Sequence, residues 1–221
     1  MVNLAEKPKT KPQTSESAFT LRQVSWATYK ALMADVGDSR PWRLAYDSGV
    51  LELRMPLFQH EVPKGLLESF IEAAADEAEI DILKAGALTL EREDLARAIE
   101  PDSCFYIQNE LRVRGNDNIN LPEDPPPDLA FESDLTSSSL NKFNIYASLG
   151  VPELWRYRKG ALEVYVLAGK EYKRSQVSLA FEFLPIAEIP NFIQQSKSIG
   201  QRAAVRLFRE RIREILASRS E

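Results

Sequence analysis

The sequence predicts an α/β fold, because stretches with helical periodicity and stretches with strand periodicity alternate along its 221 residues. An apolar stripe with helical spacing runs through residues 63–78, and a second one lies between Gly200 and Ser218. Residues 40–56 alternate in polarity on both sides of Asp47-Ser48-Gly49, which is a turn sequence and indicates a β-hairpin. The chain length fits one core domain with additions.

The elements follow from local patterns taken in order. Pro63 suits the first turn of the helix at 63–78, Ser139 is the predicted cap of a helix at 139–149, and Gly150 ends that helix. The last helix places Phe208, Ile212, Ile215 and Leu216 on one side. Another helix is predicted at 24–36, and strands are predicted at 80–90, 103–108, 111–114 and 128–135, with two or three more within 153–175.

Composition places the chain among ordinary globular proteins, with 44% hydrophobic and 28% charged residues. No apolar run approaches the ~20 residues that cross a bilayer, so no membrane partner is expected. Residues 1–18 have almost no large apolar side chains and are predicted to be a disordered tail, which leaves 19–221 as a single domain. The lone cysteine, Cys104, cannot form an internal disulfide, and a cytoplasmic location is expected.

Carboxylates cluster before the predicted helix at 139–149. Because neighbours in a strand alternate between faces, Asp128, Glu132 and Asp134 point to one side of the strand at 128–135. Asp128 and Glu132 are then ~13 Å apart, too far to share an ion, so a second ligand must come from Asp134 or from an adjacent strand. Asp102 opens the strand at 103–108 and would converge with Glu132 if the two strands pair, since paired strands lie ~4.8 Å apart. Two carboxylates with room for water are suited to magnesium or manganese.

Lys142 follows within the first turn of the next helix, where its ammonium could return to the same point and stabilise a phosphate or help deprotonate water. Each of these residues also has a plainer interpretation. The carboxylates of the strand at 128–135 could form a solvated face, Asp102 could be a strand-entry residue, and Lys142 could be a surface lysine. Thr136 to Ser139 are interpreted as a capping segment, His60 as structural or incidental, and Cys104 as a small core residue.

The stretch from Asp102 to Trp155 resembles the bacterial Uma-two family within the PD-(D/E)XK nuclease superfamily. The matching pieces are EPDSCFYIQN, PPPDLAFESDLTSSSLNKFNIYASLGVPELWRY and LEVYVLAGKEY, with weaker similarity in YDSGVLELRMPLFQHE and in the final helix. The resemblance implies a restriction-endonuclease-like mixed central sheet flanked by helices, with added β-hairpins and a C-terminal helix. It also implies that Asp102 and Glu132 bind the metal and that Lys142 is catalytic, although the superfamily tripeptide would place the lysine at Asp134.

These observations predict a Mg-dependent (or Mn-dependent) endonuclease that acts on DNA, with Asp102, Glu132 and Lys142 as its catalytic residues. Two alternatives remain: a catalytically silent nuclease-fold binding or regulatory module, and a hydrolase of another phosphate ester. The net charge of −5 argues against indiscriminate nucleic-acid binding, so a local basic surface is required. Arg112 and Arg114, which are predicted to lie near the site, and the arginines of the last helix are the candidates. That helix could instead dock on the core or form a homodimer.

Overall fold

The computed structural model of the chain describes residues 18–37, 40–55, 58–133 and 140–219, without the side chains of residues 58–60. The predicted tail up to residue 17 and the predicted capping segment with Asp134 lie outside these ranges, as does the side chain of His60. None of the helices in the described ranges combines the length and apolar character needed to cross a bilayer.

Eleven strands and six helices follow one another within the described ranges. The strands are β1 (Ala18–Arg22), β2 (Arg43–Asp47), β3 (Val50–Arg54), β4 (Leu83–Gly86), β5 (Leu90–Arg92), β6 (Arg97–Ile99), β7 (Ser103–Tyr106), β8 (Leu129–Ser133), β9 (Glu153–Arg158), β10 (Ala161–Ala168) and β11 (Glu171–Ser175). The helices are α1 (Trp26–Val36), α2 (Phe58–Glu77), α3 (Glu110–Val113), α4 (Lys142–Ser148), α5 (Ile189–Ile199) and α6 (Gln201–Arg219).

The central sheet has six strands in the order β11-β10-β9-β8-β7-β4. β8 and β9 run parallel, whereas the other neighbouring strands of this sheet are antiparallel, so the predicted mixed sheet is confirmed. A parallel pair needs a crossover between its strands, and α4 lies in that connection.

A second, antiparallel sheet has five strands in the order β1-β3-β2-β6-β5. It contains the predicted hairpin, in which Asp47 pairs with Val50 across the turn. Tyr29 of α1 packs with Tyr46 and Leu51 on one face of this sheet. This sheet therefore supplies the added hairpin of the predicted fold.

Helices cover both faces of the central sheet, as the α/β prediction requires. On one face, Phe70 of α2, Phe192 of α5 and Phe208 of α6 pack in one core together with Phe131 and Trp155. On the other face, α4 packs through Ile145 and Tyr146 against Cys104, Ala130 and Leu154. β8 is consequently buried on both sides.

The last helix docks on the core of its own chain. Phe208 and Ile212 are fully buried against α2 and α5, which confirms the predicted apolar face. Arg209 and Arg213 form ion pairs with Glu77 at the end of α2, and Arg211 pairs with Glu188 just before α5. These arginines fix the helix in place instead of forming an open basic surface.

The predicted start of α2, the strand at 111–114 and the cap of α4 were wrong. α2 begins before Pro63, so that proline lies inside the helix and not in its first turn. Residues 111–114 were predicted as a strand, but Leu111 to Val113 belong to α3, and an ion pair between Glu110 and Arg114, four residues apart, supports this helical turn. Asn141 caps α4 by accepting a hydrogen bond from the Asn144 amide, where Ser139 had been predicted.

Candidate active site

Pairing between β7 and β8 brings Asp102 and Glu132 together. Ser103 is opposite Phe131 in this antiparallel pair, so the next position outward places Asp102 opposite Glu132. Glu132 lies on the same face of β8 as Ala130, which packs under α4. The predicted convergence of the two carboxylates is therefore present in the structure.

Arg54 of β3 lies between these carboxylates. Its Nη2 is 3.2 Å from Oδ1 of Asp102 and 3.0 Å from Oε2 of Glu132. The Arg54 side chain is only 5% exposed, so these contacts are shielded from water. The second sheet thus supplies a cation to a site that sequence reasoning had built from the central sheet and α4 alone.

Helix α4 adds a second cation and a hydroxyl group. Lys142, its first residue, places Nζ 3.4 Å from Oε2 of Glu132 and is 4% exposed. Tyr146, one turn later, donates a hydrogen bond of 2.6 Å from its hydroxyl to Oε1 of Glu132. Burial first, and the nearby Glu132 second, raise the pKa of Tyr146 well above its usual value, so its hydroxyl remains a donor.

Ser133 fixes the orientation of Asp102. Its backbone amide and its hydroxyl donate to Oδ2 of Asp102 at 2.6 and 2.5 Å. Burial alone would raise the pKa of Asp102, but the charge of Arg54 and the hydrogen bonds from Ser133 outweigh it and lower that pKa below its usual value. Asp102 is therefore an anion at neutral pH.

This lowered pKa predicts a loss of stability in acid. Because the folded-state pKa of Asp102 is below the unfolded value, its contribution to the free energy of unfolding is present above about pH 4 and is lost as the pH falls through the lowered pKa. We expect urea unfolding of the Asp102→Asn variant to depend less steeply on pH below 4 than that of the wild type. Equal pH slopes in the two proteins would contradict the ion pair with Arg54.

Asp128 has a separate, structural role at the other end of β8. It accepts hydrogen bonds from the amides of Ile107 and Asn109 and from the side chain of Asn109, at 2.6 to 2.9 Å. It is 5% exposed, and these contacts agree with its predicted exclusion as a partner of Glu132. The aspartate shapes the turn after β7.

Arg112 and Arg114 also lie beyond this far end. The whole of β7 separates them from Asp102, so their predicted location near the site was wrong. Arg114 is in addition paired with Glu110 and Asp81. These two arginines are poor candidates for contacts to a substrate at Asp102.

A different group of cations lies beside Glu132 on the same face of the sheet. Arg156 of β9 is opposite Glu132 in the parallel register, and Arg158 follows two residues later on that face. Arg174 of β11 is opposite Tyr165 of β10, which places it on the face of Arg156 as well. Arg174 is 60% exposed and its closest carboxylate, Glu163, is shared with Arg156.

The carboxylates are buried, contrary to the plainer interpretation of a solvated acidic face. Glu132 is 0% exposed and Asp102 is 7% exposed. Their two negative charges are balanced by the positive charges of Arg54 and Lys142. A buried pair of carboxylates is stable only with such partners, since an uncompensated buried charge is costly.

The donor set fits a divalent cation in its chemistry. One nitrogen of Arg54 lies within 3.2 Å of both carboxylates, so a single cation can contact both. Two carboxylates with water or phosphate oxygens completing the shell are typical of magnesium sites. Among the described residues, no group of three or more His, Cys, Asp or Glu side chains could hold a metal ion, so the described part of the chain offers two carboxylates at this point.

Sequence reasoning missed Arg54 and Tyr146. Tyr146 had a usable signal, because residues four apart on a helix share a face and Lys142 precedes it by four. Arg54 had no sequence signal beyond its place at the end of a predicted strand. Cys104 is a buried core thiol, as predicted, and burial raises its pKa to about 12, so it is not a nucleophile at neutral pH.

The match to a family model agrees with the sequence resemblance. A model of the Uma2 family, described as "Putative restriction endonuclease", matches residues 26–196. A crystal structure from Anabaena variabilis, described as "a putative nuclease belonging to DUF820", is similar with 15% identity and a TM-score of 0.49, over 78% of this chain and 96% of that chain. No curated protein matches the chain.

Proposed function

The chain belongs to the Uma2 family, and on that premise we propose that it is a metal-dependent endonuclease that hydrolyses DNA phosphodiester bonds. The observation that carries this proposal is the convergence of Asp102, Glu132 and Lys142 on one point, at the junction of a strand pair and a crossover helix. Two anions for an ion and one cation for a phosphate are what phosphodiester hydrolysis requires.

Each side chain has a distinct role in this proposal. Asp102 and Glu132 would hold Mg²⁺ or Mn²⁺, which when bound would lower the pKa of an attacking water and offset phosphate charge. Lys142 orients the phosphate and stabilises its developing negative charge. Tyr146 and Ser133 position the carboxylates through the hydrogen bonds described above.

The arginines of β9 and β11 are the proposed contact surface for the DNA backbone. Residues 153–175 contain six Lys and Arg residues against three Glu residues, in a chain whose net charge is −5. Arg156, Arg158 and Arg174 lie on the face that also carries Glu132. A cationic surface beside a cleavage site attracts the phosphates that flank the scissile bond.

Replacing Arg158 and Arg174 together with Ala tests this surface. Each phosphate contact adds ~0.9 to the slope of log affinity against log salt, so loss of two contacts lowers that slope by roughly 1.8. Fluorescence anisotropy with a labelled duplex, measured at several salt concentrations without a divalent ion, gives the slope. The double variant Arg112→Ala and Arg114→Ala is the matched control and keeps the wild-type slope. If the Arg112 and Arg114 variant lowers the slope and the Arg158 and Arg174 variant does not, the DNA contact surface lies at α3 instead.

A strand-break assay tests the activity itself. The purified chain is incubated with supercoiled, linear and single-stranded DNA and with RNA, in buffer with Mg²⁺, with Mn²⁺ or with chelator. We expect cleavage of DNA that needs the ion and is lost in the Glu132→Gln variant. Cleavage of RNA only, or hydrolysis of a small phosphate ester only, would replace DNA as the substrate. Cleavage that persists unchanged in the Glu132→Gln variant would contradict the proposed role of Glu132.

A catalytically silent module is the second candidate, and the closed site favours it. Arg54, Lys142 and Tyr146 already satisfy Glu132, and neither carboxylate is more than 7% exposed. DNA binding in the anisotropy experiment without cleavage under any ion would establish this alternative. The buried thiol of Cys104 accords with the cytoplasmic location that we propose for either function.

A further inference from the structure

We infer that Arg54 is a built-in counter-cation of the site, which a divalent ion must displace from Asp102 and Glu132. This inference rests on the proposed function, because it concerns the same two carboxylates. It adds a positioning residue from the second sheet to a site otherwise formed by β7, β8 and α4.

The contact geometry places the guanidinium where an ion would have to bind. Nη2 of Arg54 is within 3.2 Å of one oxygen from each carboxylate. An ion that contacts both carboxylates needs the same space, so the two cations cannot occupy it together. Arg54 is 5% exposed, and its position is therefore defined by packing as well as by charge.

Charge balance leads to the same conclusion. Asp102 and Glu132 with Arg54 and Lys142 sum to zero before any ion enters. The same two carboxylates with Lys142, one divalent ion and one phosphodiester also sum to zero, but only if Arg54 has left. A buried site tolerates little uncompensated charge, so Arg54 and the ion with its substrate are alternative ways of neutralising it.

The arrangement has two consequences for the protein. Without an ion, Arg54 holds the carboxylates together and prevents their mutual repulsion, which stabilises the fold. With an ion, part of the binding free energy is spent on moving Arg54, so the apparent affinity equals the intrinsic affinity multiplied by the fraction of molecules in which Arg54 is displaced. Occupancy of the site by the ion then depends on the ion concentration and on the position of Arg54, which β3 carries.

Isothermal titration calorimetry with Mg²⁺ tests the competition. We expect Arg54→Met to bind Mg²⁺ at least about tenfold more tightly than the wild type, because its open fraction is no longer limiting. Arg92→Met is the matched control, since Arg92 lies on β5 of the same sheet and pairs with the exposed Asp94. It keeps the wild-type affinity. Equal or weaker binding by Arg54→Met than by the wild type would overturn the inference.

A second measurement uses the wild-type protein and does not depend on the folding of Arg54→Met. The Nε–H signal of Arg54 is assigned in nitrogen-15 spectra by its loss in Arg54→Lys, and Mg²⁺ is then added. Displacement predicts a shift or broadening of the Arg54 signal at the concentrations that saturate the calorimetric site, with the Arg92 signal unchanged. An Arg54 signal that stays unchanged at saturation would overturn the inference.

The two proposals fail in different ways. If the wild type and Arg54→Met both bind no Mg²⁺, the metal site of the proposed function is wrong and this inference falls with it. If only Arg54→Met binds Mg²⁺, Arg54 fully occupies the site and the inference stands. If both bind equally and the Arg54 signal is unmoved, the metal site stands and this inference alone is wrong.

Discussion

Replacing Lys142 with Met should lower DNA hydrolysis by ~100-fold or more, the scale of losing one electrostatic stabiliser of the transition state. Met keeps much of the apolar stem but removes the ammonium, which lies 3.4 Å from Glu132 in a site closed to water. Glu132 retains Arg54 and Tyr146 as partners, so the free energy of unfolding should fall by no more than about 2 kcal/mol. Initial cleavage rates on a DNA that the wild type cuts, together with thermal unfolding, measure both effects.

Lys84→Met provides the control for this variant. Lys84 of β4 also pairs with two carboxylates, Glu68 and Glu72, but these belong to α2 and lie away from the site. Loss of the Lys84 ammonium should therefore leave cleavage unchanged. Wild-type rates in Lys142→Met would identify Lys142 as a purely structural partner of Glu132. Loss of cleavage in both variants would indicate a general effect on the fold.

Replacing Glu132 with Gln should abolish both cleavage and stabilisation by the ion. For the wild type, Mg²⁺ at 100 times its Kd should add about 2.7 kcal/mol to the free energy of unfolding, because the ion binds only the folded site. Glu132→Gln lacks one of the two ligands and should show no such increase. In the absence of Mg²⁺ it should be less stable by about 3 to 5 kcal/mol, because Arg54 and Lys142 are left with a single carboxylate.

Glu153→Gln is a close control, because Glu153 is equally buried and lies on the adjacent strand β9. It accepts hydrogen bonds from Trp155, Ser178 and Ala180 on the opposite face of the sheet. This variant should lose stability but retain the increase on addition of Mg²⁺. An equal Mg²⁺ increase in the wild type and Glu132→Gln would remove Glu132 from the metal site.

The elements that carry Asp102, Glu132 and Lys142 could be predicted from local sequence. The hairpin at Asp47 to Val50, β7, β8 and α4 all lie where turn residues and alternation placed them, because these signals are local and agree with the tertiary structure. β1 and α5 were not predicted. β1 begins at Ala18, at the border of the polar tail, and its five residues are all exposed, so no buried face marks it as a strand.

The site could be predicted only in part, for a physical reason. Asp102, Glu132 and Lys142 lie within 41 consecutive residues, and strand pairing places the two carboxylates opposite each other. Arg54 is separated from Glu132 by 78 positions and belongs to a different sheet, so its approach depends on how the two sheets pack. No local periodicity carries that information, and an arginine at a strand end is ordinary on a protein surface.

The crossover between β8 and β9 has a practical consequence for finding related enzymes. Lys142 reaches Glu132 from the first residue of the crossover helix, ten positions downstream, whereas Asp134 occupies the place two residues after the glutamate. A search pattern that demands lysine two residues after the acidic residue will discard chains of this kind. A search that instead scores the distance between the ammonium and the carboxylate in folded coordinates will retain them, wherever the lysine sits in the linear order.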